Sequence, residues 1–203
     1  MRHSFEFENL SALHEGTEPN RSYFIPLAPG QRADLPREES ERFLLLSGVW
    51  SMKLYPRISA VPEDFPQPGF AAGGYPPMPV PSCWQMQGLD SHQYVNIRYP
   101  IPFDPPHVPT ENPCGAYRTV FSLTREQLSG RVYLNFEGVD SFFYVWMNGT
   151  RAGYSQVSHS TSEFDVTELV HEGENTLAVL VLKWSAATYL EDQDKLRMSG
   201  IFR

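Results

Sequence analysis

The chain has 203 residues, 41% of them apolar and 20% charged, which is the usage of an ordinary globular domain and not of a disordered one. At this length folding withdraws roughly 70% of the unfolded surface from water, so a packed core needs neither metals nor disulfides. The net charge of −8, from 16 basic and 24 acidic residues without a dense Lys/Arg cluster, excludes recognition through neutralised phosphates, so neither nucleic acid nor a membrane is an expected partner.

The 18 prolines argue against a helical protein, because proline breaks helix interiors. Residues 1–40 mix polar and proline-bearing stretches, such as His14 to Asn20, with a short apolar spot at Tyr23-Phe24-Ile25-Pro26. They read as an extended arm lying against a surface. Neither an apolar signal segment at the amino terminus nor a run of ~18 apolar residues is present, so a cytoplasmic location is expected. Phe43 to Leu46 is the first strand signal, and a second run follows Gly48, from Val49 to Tyr55. Residues 56–79, rich in proline and glycine, predict a long surface loop. Pro79 to Trp84 reads as extended, since each proline pushes its predecessor out of the helical region. Tyr94 to Tyr99 alternates, and Pro100 to Pro113 is a further proline-rich loop.

Downstream the pattern is cleaner. Ala116 to Leu123 alternates as a strand, and Val132, Leu134 and Phe136 face one way in the next. Phe143, Val145 and Met147 share one side of a strand whose other side carries Tyr144 and Trp146. Asn148-Gly149, the dipeptide favoured in two-residue type I′ hairpins, sets Arg151 to Tyr154 antiparallel to it. A short helical turn is expected over Thr167–Val170, capped by Asp165 or Thr167. Leu177 to Trp184 is apolar almost throughout, as in a central strand buried on both sides. Six or more short strands with turn signals between them predict an all-β sandwich or barrel. The final Ser199 to Arg203 begins a strand-like run and stops, as expected of a truncated gene or an excised domain.

The histidines at 3, 14, 92, 107, 159 and 171 never fall at zinc-site spacings, and no CxxC, GxSxG or phosphate-cradling glycine loop occurs. Nothing favours pairing of Cys83 with Cys114, which read as buried or half-buried thiols. Two stretches hold candidate chemistry. Leu190-Glu191-Asp192-Gln193-Asp194 is either a solvated acidic loop or a place where carboxylates accept sugar hydroxyls or hold a cation; if extended, 192 and 194 point the same way. Tyr94 to Pro100 is either an ordinary strand with a structural Asn96 or an amide flanked by aromatics that suits a sugar. Glycoside hydrolysis with retention needs two carboxylates about 5–5.5 Å apart. Glu191, Asp192 and Asp194 could come that close, but no pocket-forming sequence surrounds them, and no catalytic residue is expected in this chain.

Pro79 to Met86, Tyr94-Val95-Asn96, Pro109 to Pro113, Gly115-Ala116-Tyr117, Asn148-Gly149, Gly153-Tyr154-Ser155, Ser162 to Asp165, Gly173-Glu174-Asn175, Tyr189 to Asp194 and Arg197 to Arg203 together resemble the glycoside hydrolase family 2 β-galactosidases of bacteria, the lactose-cleaving type. Order and spacing agree from about residue 42 onward. The resemblance implies a jelly-roll, galactose-binding-like sandwich over 41–203, cut at its last strand, preceded by the arm of 1–40. It implies the sugar-binding first domain of a retaining enzyme whose catalytic glutamates lie on a (β/α)8 barrel, reached through an immunoglobulin-like domain, with both domains outside this chain. By the same resemblance Asp194 ligates sodium and contacts galactosyl hydroxyls, and Asn96, with Val95 or Ile97 alongside, lines the aglycone side. Magnesium is expected on the missing barrel, and the whole enzyme is expected to be a homo-oligomer. A free-standing galactoside-binding, lectin-like module is the alternative. Two positions depart from the pattern: His159, where an arginine is common, and Leu196, where an aromatic is common.

Overall fold

A computed structural model describes residues 5–203; His3 lies outside them. Among the described residues the strands are β1 His14–Glu15, β2 Gly48–Tyr55, β3 Pro77–Val80, β4 Gln93–Val95, β5 Cys114–Leu123, β6 Tyr133–Phe136, β7 Val139–Asp140, β8 Phe142–Met147, β9 Thr150–Gln156, β10 Ser162–Asp165, β11 Gly173–Leu182, β12 Lys195–Arg197 and β13 Gly200–Ile201. One four-residue α-helix, α1, spans Thr188–Glu191. The fold is all-β and antiparallel. A seven-stranded sheet runs β1-β9-β8-β11-β5-β2-β3, and the pairs β10-β6, β12-β4 and β13-β7 stand beside it.

The middle of the large sheet shows why these residues choose strands. β11 lies between β8 and β5, and from Leu177 to Leu182 both of its faces are buried. Leu177, Val179 and Val181 enter one core with Phe143, Val145 and Met147 of β8. Ala178, Leu180 and Leu182 enter another with Phe142 and Tyr144. The period-2 alternation therefore serves two cores, one per face. Over the first core lie Leu134 and Phe136 of β6, Phe164 of β10, Val139 of β7 and Ile201 of β13, closing the sandwich. Fully burying each side chain of this size stabilises by about 1.5–3 kcal/mol.

The Asn148-Gly149 turn has φ of 51° and 82°, the two positive values that a type I′ hairpin requires, and β8 and β9 pair antiparallel across it. The turn over Thr167–Leu169 forms as expected, with Asp165 Oδ1 accepting both the N–H (3.0 Å) and the hydroxyl (2.5 Å) of Thr167.

Three expectations are corrected. Phe43 to Leu46 forms no strand, and Leu44 and Leu45 are exposed. The β2 ladder begins only at Gly48, opposite Val80, because a strand needs a hydrogen-bonding neighbour and an apolar run alone does not provide one. Residues 56–79 are more than a surface loop. Phe65 is buried, Ile58, Val61, Phe70 and Tyr75 pack with it on the second core, and 77–80 are β3. Buried Arg118 of β5 holds this cover down by donating to the carbonyls of Phe65 and Gln67. Last, the alternation from Tyr94 to Tyr99 yields a strand only to Val95, since its partner β12 has three residues.

Residues near the amino terminus join the sandwich. β1 pairs with β9, and buried Phe7 packs edge-on against Phe142 at 6.0 Å. Cys83 and Cys114 are both buried and unpaired, and burial pushes the Cys114 thiol up to about 12. No helix among the described residues is long and apolar enough to cross a membrane.

Candidate sugar-binding site

The β4–β12 ribbon pairs Gln93 with Arg197, Tyr94 with Leu196 and Val95 with Lys195. One residue beyond the last pair, the Asp194 N–H donates to the Val95 carbonyl at 2.7 Å. Asn96 and Asp194 therefore sit next to each other at the end of the ribbon, and both are exposed. Asp194 has φ +55°, a left-handed conformation that the short polar side chain of Asp tolerates better than most.

Tyr94 stands beside them. Its phenol donates to Asp194 Oδ1 at 2.5 Å. The adjacent carboxylate holds that phenol above its ordinary pKa, with Asn96 acting in the opposite direction on the same hydroxyl. Around this polar centre Tyr94, Ile97, Leu190 and Leu196 are exposed, Ile97 at 91%. Phe103 packs against Tyr99 and Tyr189, with centroids 5.4 and 5.6 Å away. Apolar surface beside a carboxylate and an amide matches both halves of a sugar, its C–H faces and its hydroxyls.

The three acids of 190–194 separate, because the extended geometry in which 192 and 194 would point the same way is not adopted. Glu191, at the end of α1, accepts the Ser158 N–H and hydroxyl at 2.9 and 2.6 Å. Asp192 is buried, with Oδ1 2.5 Å from Arg197 Nη1. Glu191 is half-buried, and of the three only Asp194 is fully exposed. The segment is not extended: α1 ends at Glu191, with Asp192 as its C-cap, and the chain turns through the left-handed residue 194. Burial raises the Asp192 carboxyl above its ordinary pKa, against the pull of Arg197 and Lys195.

Val95 is buried and Ile97 exposed, so of the two neighbours of Asn96 only Ile97 is on the open surface. His159 packs at a tilt against Phe202, with ring centroids 5.3 Å apart. Leu196 is exposed beside Tyr94. The roles of Tyr94 as a donor to Asp194, and of Arg197, Lys195 and Asp140 behind the site, were not apparent in the sequence. The one signal for them is the pair of basic residues at 195 and 197, spaced like the faces of a strand next to three acids. Among the described residues no group of three His, Cys, Asp or Glu side chains could hold a metal ion.

Residues 43–203 match the family described as glycosyl hydrolases family 2, sugar binding domain. A β-galactosidase of Actinobacillus pleuropneumoniae is 46% identical over 198 residues, covering 97% of this chain and 19% of that protein. One of Staphylococcus xylosus is 44% identical over 199 residues, with the same 97% and 19% coverage. The chain thus spans about a fifth of the length of these curated relatives. Among solved structures, a β-glucuronidase of Bacteroides uniformis superposes with a TM-score of 0.59 at 15% identity, covering 79% of this chain and 17% of that one. A β-glycosidase of Bacteroides vulgatus gives 0.54 at 20% identity, covering 77% and 19%. Those two likenesses show a shared sandwich fold. The sequence match carries the assignment: the chain belongs to the sugar-binding domain family of the family 2 glycosyl hydrolases.

Proposed function

We propose that this chain is the sugar-binding domain, with the jelly-roll topology, of a retaining β-galactosidase that cleaves terminal β-D-galactosides such as lactose. Its catalytic carboxylates lie on a barrel domain outside the chain, reached through an immunoglobulin-like domain. The observation that carries this reading is the meeting of Asn96 and Asp194, both exposed, at the end of the β4–β12 ribbon, where the Tyr94 phenol donates to Asp194. The named β-galactosidases at 44–46% identity supply the reaction.

In this reading Asp194 accepts galactosyl hydroxyls and Asn96 faces the aglycone, while the rest of the pocket comes from the barrel. Sodium fits Asp194 as one ligand of a shared site. A carboxylate is the hard oxygen donor such cations take, and while Oδ1 accepts the Tyr94 phenol, Oδ2 is left for the ion. Sodium would supply positive charge that binds and orients a sugar hydroxyl. Magnesium belongs to the barrel.

The test is the enzyme that carries this domain, assayed on a nitrophenyl β-galactoside. Asp194→Asn is expected to raise KM about tenfold or more, the loss of charge-assisted hydrogen bonds. A wild-type KM in that variant overturns the site. Calorimetric binding of galactose by the 203-residue chain alone overturns the shared pocket and favours a free-standing lectin.

A further inference from the structure

Behind the ribbon stand four charged side chains without an assigned role. Asp192 and Arg197 have fully buried side chains, 2.5 Å apart. Asp192 also lies 3.3 Å from Lys195 Nζ. Asp140, on β7, meets the same two cations, Oδ1 at 2.9 Å from Arg197 Nη1 and Oδ2 at 3.0 Å from Lys195 Nζ. Arg197 Nη2 donates to the Lys183 carbonyl, and its guanidinium lies 4.8 Å over the Trp184 ring.

Two positive and two negative charges balance, yet balance does not account for their burial. Withdrawing Asp140, Asp192 and Arg197 from water, with Lys195 half-buried beside them, offsets most of their mutual attraction, and apolar side chains of the same size often stabilise as well or better. What such a network does fix is geometry. Residues 192–197 form a turn whose two ends, Asp192 and Arg197, are tied to each other and, through Arg197 and Lys195, to β7. In the middle sits Asp194 at φ +55°, its own backbone held by one N–H bond to Val95. An aspartate tolerates that region without being confined to it, so its surroundings decide whether residue 194 is held there.

We propose that Asp192 and Arg197 are positioning residues for the sugar site: by closing the 192–197 turn against Asp140 they hold the Asp194 carboxylate beside Asn96. The proposal rests on the reading of Asp194 as a sugar contact. Neither residue touches sugar. With the clamp loosened, Asp194 spends only part of its time in the binding geometry, and apparent affinity falls by that fraction. The effect belongs on KM.

The decisive variant is Asp192→Asn/Arg197→Met in the whole enzyme. It removes one charge of each sign and leaves Asp140 paired with Lys195. KM is expected to rise about tenfold with kcat changed less than about threefold. Hydrogen exchange at residues 193–195 is expected to quicken about tenfold while the urea unfolding midpoint holds. Arg197→Lys, which keeps the charge and loses the fork, is expected to fall between the double variant and wild type; it decides the matter by the same readouts if the double variant does not fold. Wild-type KM and exchange in a folded variant overturn the proposal. So does a lowered midpoint with kcat and KM changing together, which is mere structural damage. Asp194→Asn separates the two claims: if it leaves KM unchanged while the double variant still quickens exchange, the sugar assignment fails and the clamp stands.

Discussion

The phenol of Tyr94 and the carboxylate of Asp194, a hundred residues apart in the chain, share a 2.5 Å hydrogen bond across the β4–β12 ribbon. Ionising the phenol would give up its hydrogen bond to the carboxylate and set a second negative charge against the first, so its pKa is held up. Asp194→Asn removes that charge, and the Tyr94 pKa is expected to fall toward the ordinary tyrosine value. An NMR titration of carbon-labelled tyrosine reads the shift directly; an unchanged Tyr94 curve would mean that the bond does not form in solution.

Asn112 stands in for a missing strand partner of Trp184. Its Nδ2 donates to the Trp184 carbonyl at 2.8 Å and its Oδ1 accepts the Trp184 N–H at 2.9 Å, all of it buried. Asn112→Ala leaves one donor and one acceptor of the backbone without partners. The expected loss is about 2–6 kcal/mol, since each of the two orphaned buried groups costs about 1–3 kcal/mol. Urea unfolding measures it, and a loss well under 1 kcal/mol would show that water replaces the amide.

Phe65 tests whether residues 56–79 are structural. It packs edge-on to Trp146 at 5.4 Å and is buried over the second core. Phe65→Ala is expected to destabilise by about 3–5 kcal/mol, as in other buried aromatic truncations. A solvated loop would yield less than about 0.5 kcal/mol, so thermal or urea unfolding distinguishes the two.

Asp165 gives the sandwich a pH dependence of known sign. Hydrogen bonds from the Thr167 hydroxyl and N–H hold its carboxyl below the ordinary carboxylate value. A depressed folded pKa means a contribution that is full above the unfolded pKa and is lost as pH falls through the folded one. The advantage of wild type over Asp165→Asn is therefore expected to shrink as pH drops below ~4. Unfolding curves at neutral and acid pH check it, and an advantage that grows on acidification would refute the assignment.

Local chemistry made much of the sandwich legible. The alternation of Phe143, Val145 and Met147 against Tyr144 and Trp146, the apolar run of β11 and the Asn148-Gly149 turn each need only nearest neighbours and one face of burial, and the structure repeats them. The stretch around Asn96 and the acidic stretch 190–194 also read as residue types suited to a sugar, while the choice of Asp194 among the acids came from the family resemblance. The proximity of Asn96 and Asp194 was not derivable from either stretch, because pairing between segments a hundred residues apart is decided by the whole sheet. For the same reason Phe43 to Leu46 reads as a strand and is none: strand formation depends on what lies alongside.

What the sequence alone determined is the class of fold, the hairpin at 148–149 and the two candidate stretches, all of which follow from periodicity and residue chemistry at short range. Tertiary structure decided which acid faces outward. Glu191, Asp192 and Asp194 are chemically near-equivalent, and only the cations Arg197, buried, and Lys195, half-buried, brought against Asp140 by the packing of β12 on β4 and β13 on β7, draw Asp192 inward while Asp194 turns to solvent. The physical reason is that a buried carboxylate is stable only where its counter-charges already are, and their positions are set by contacts far along the chain.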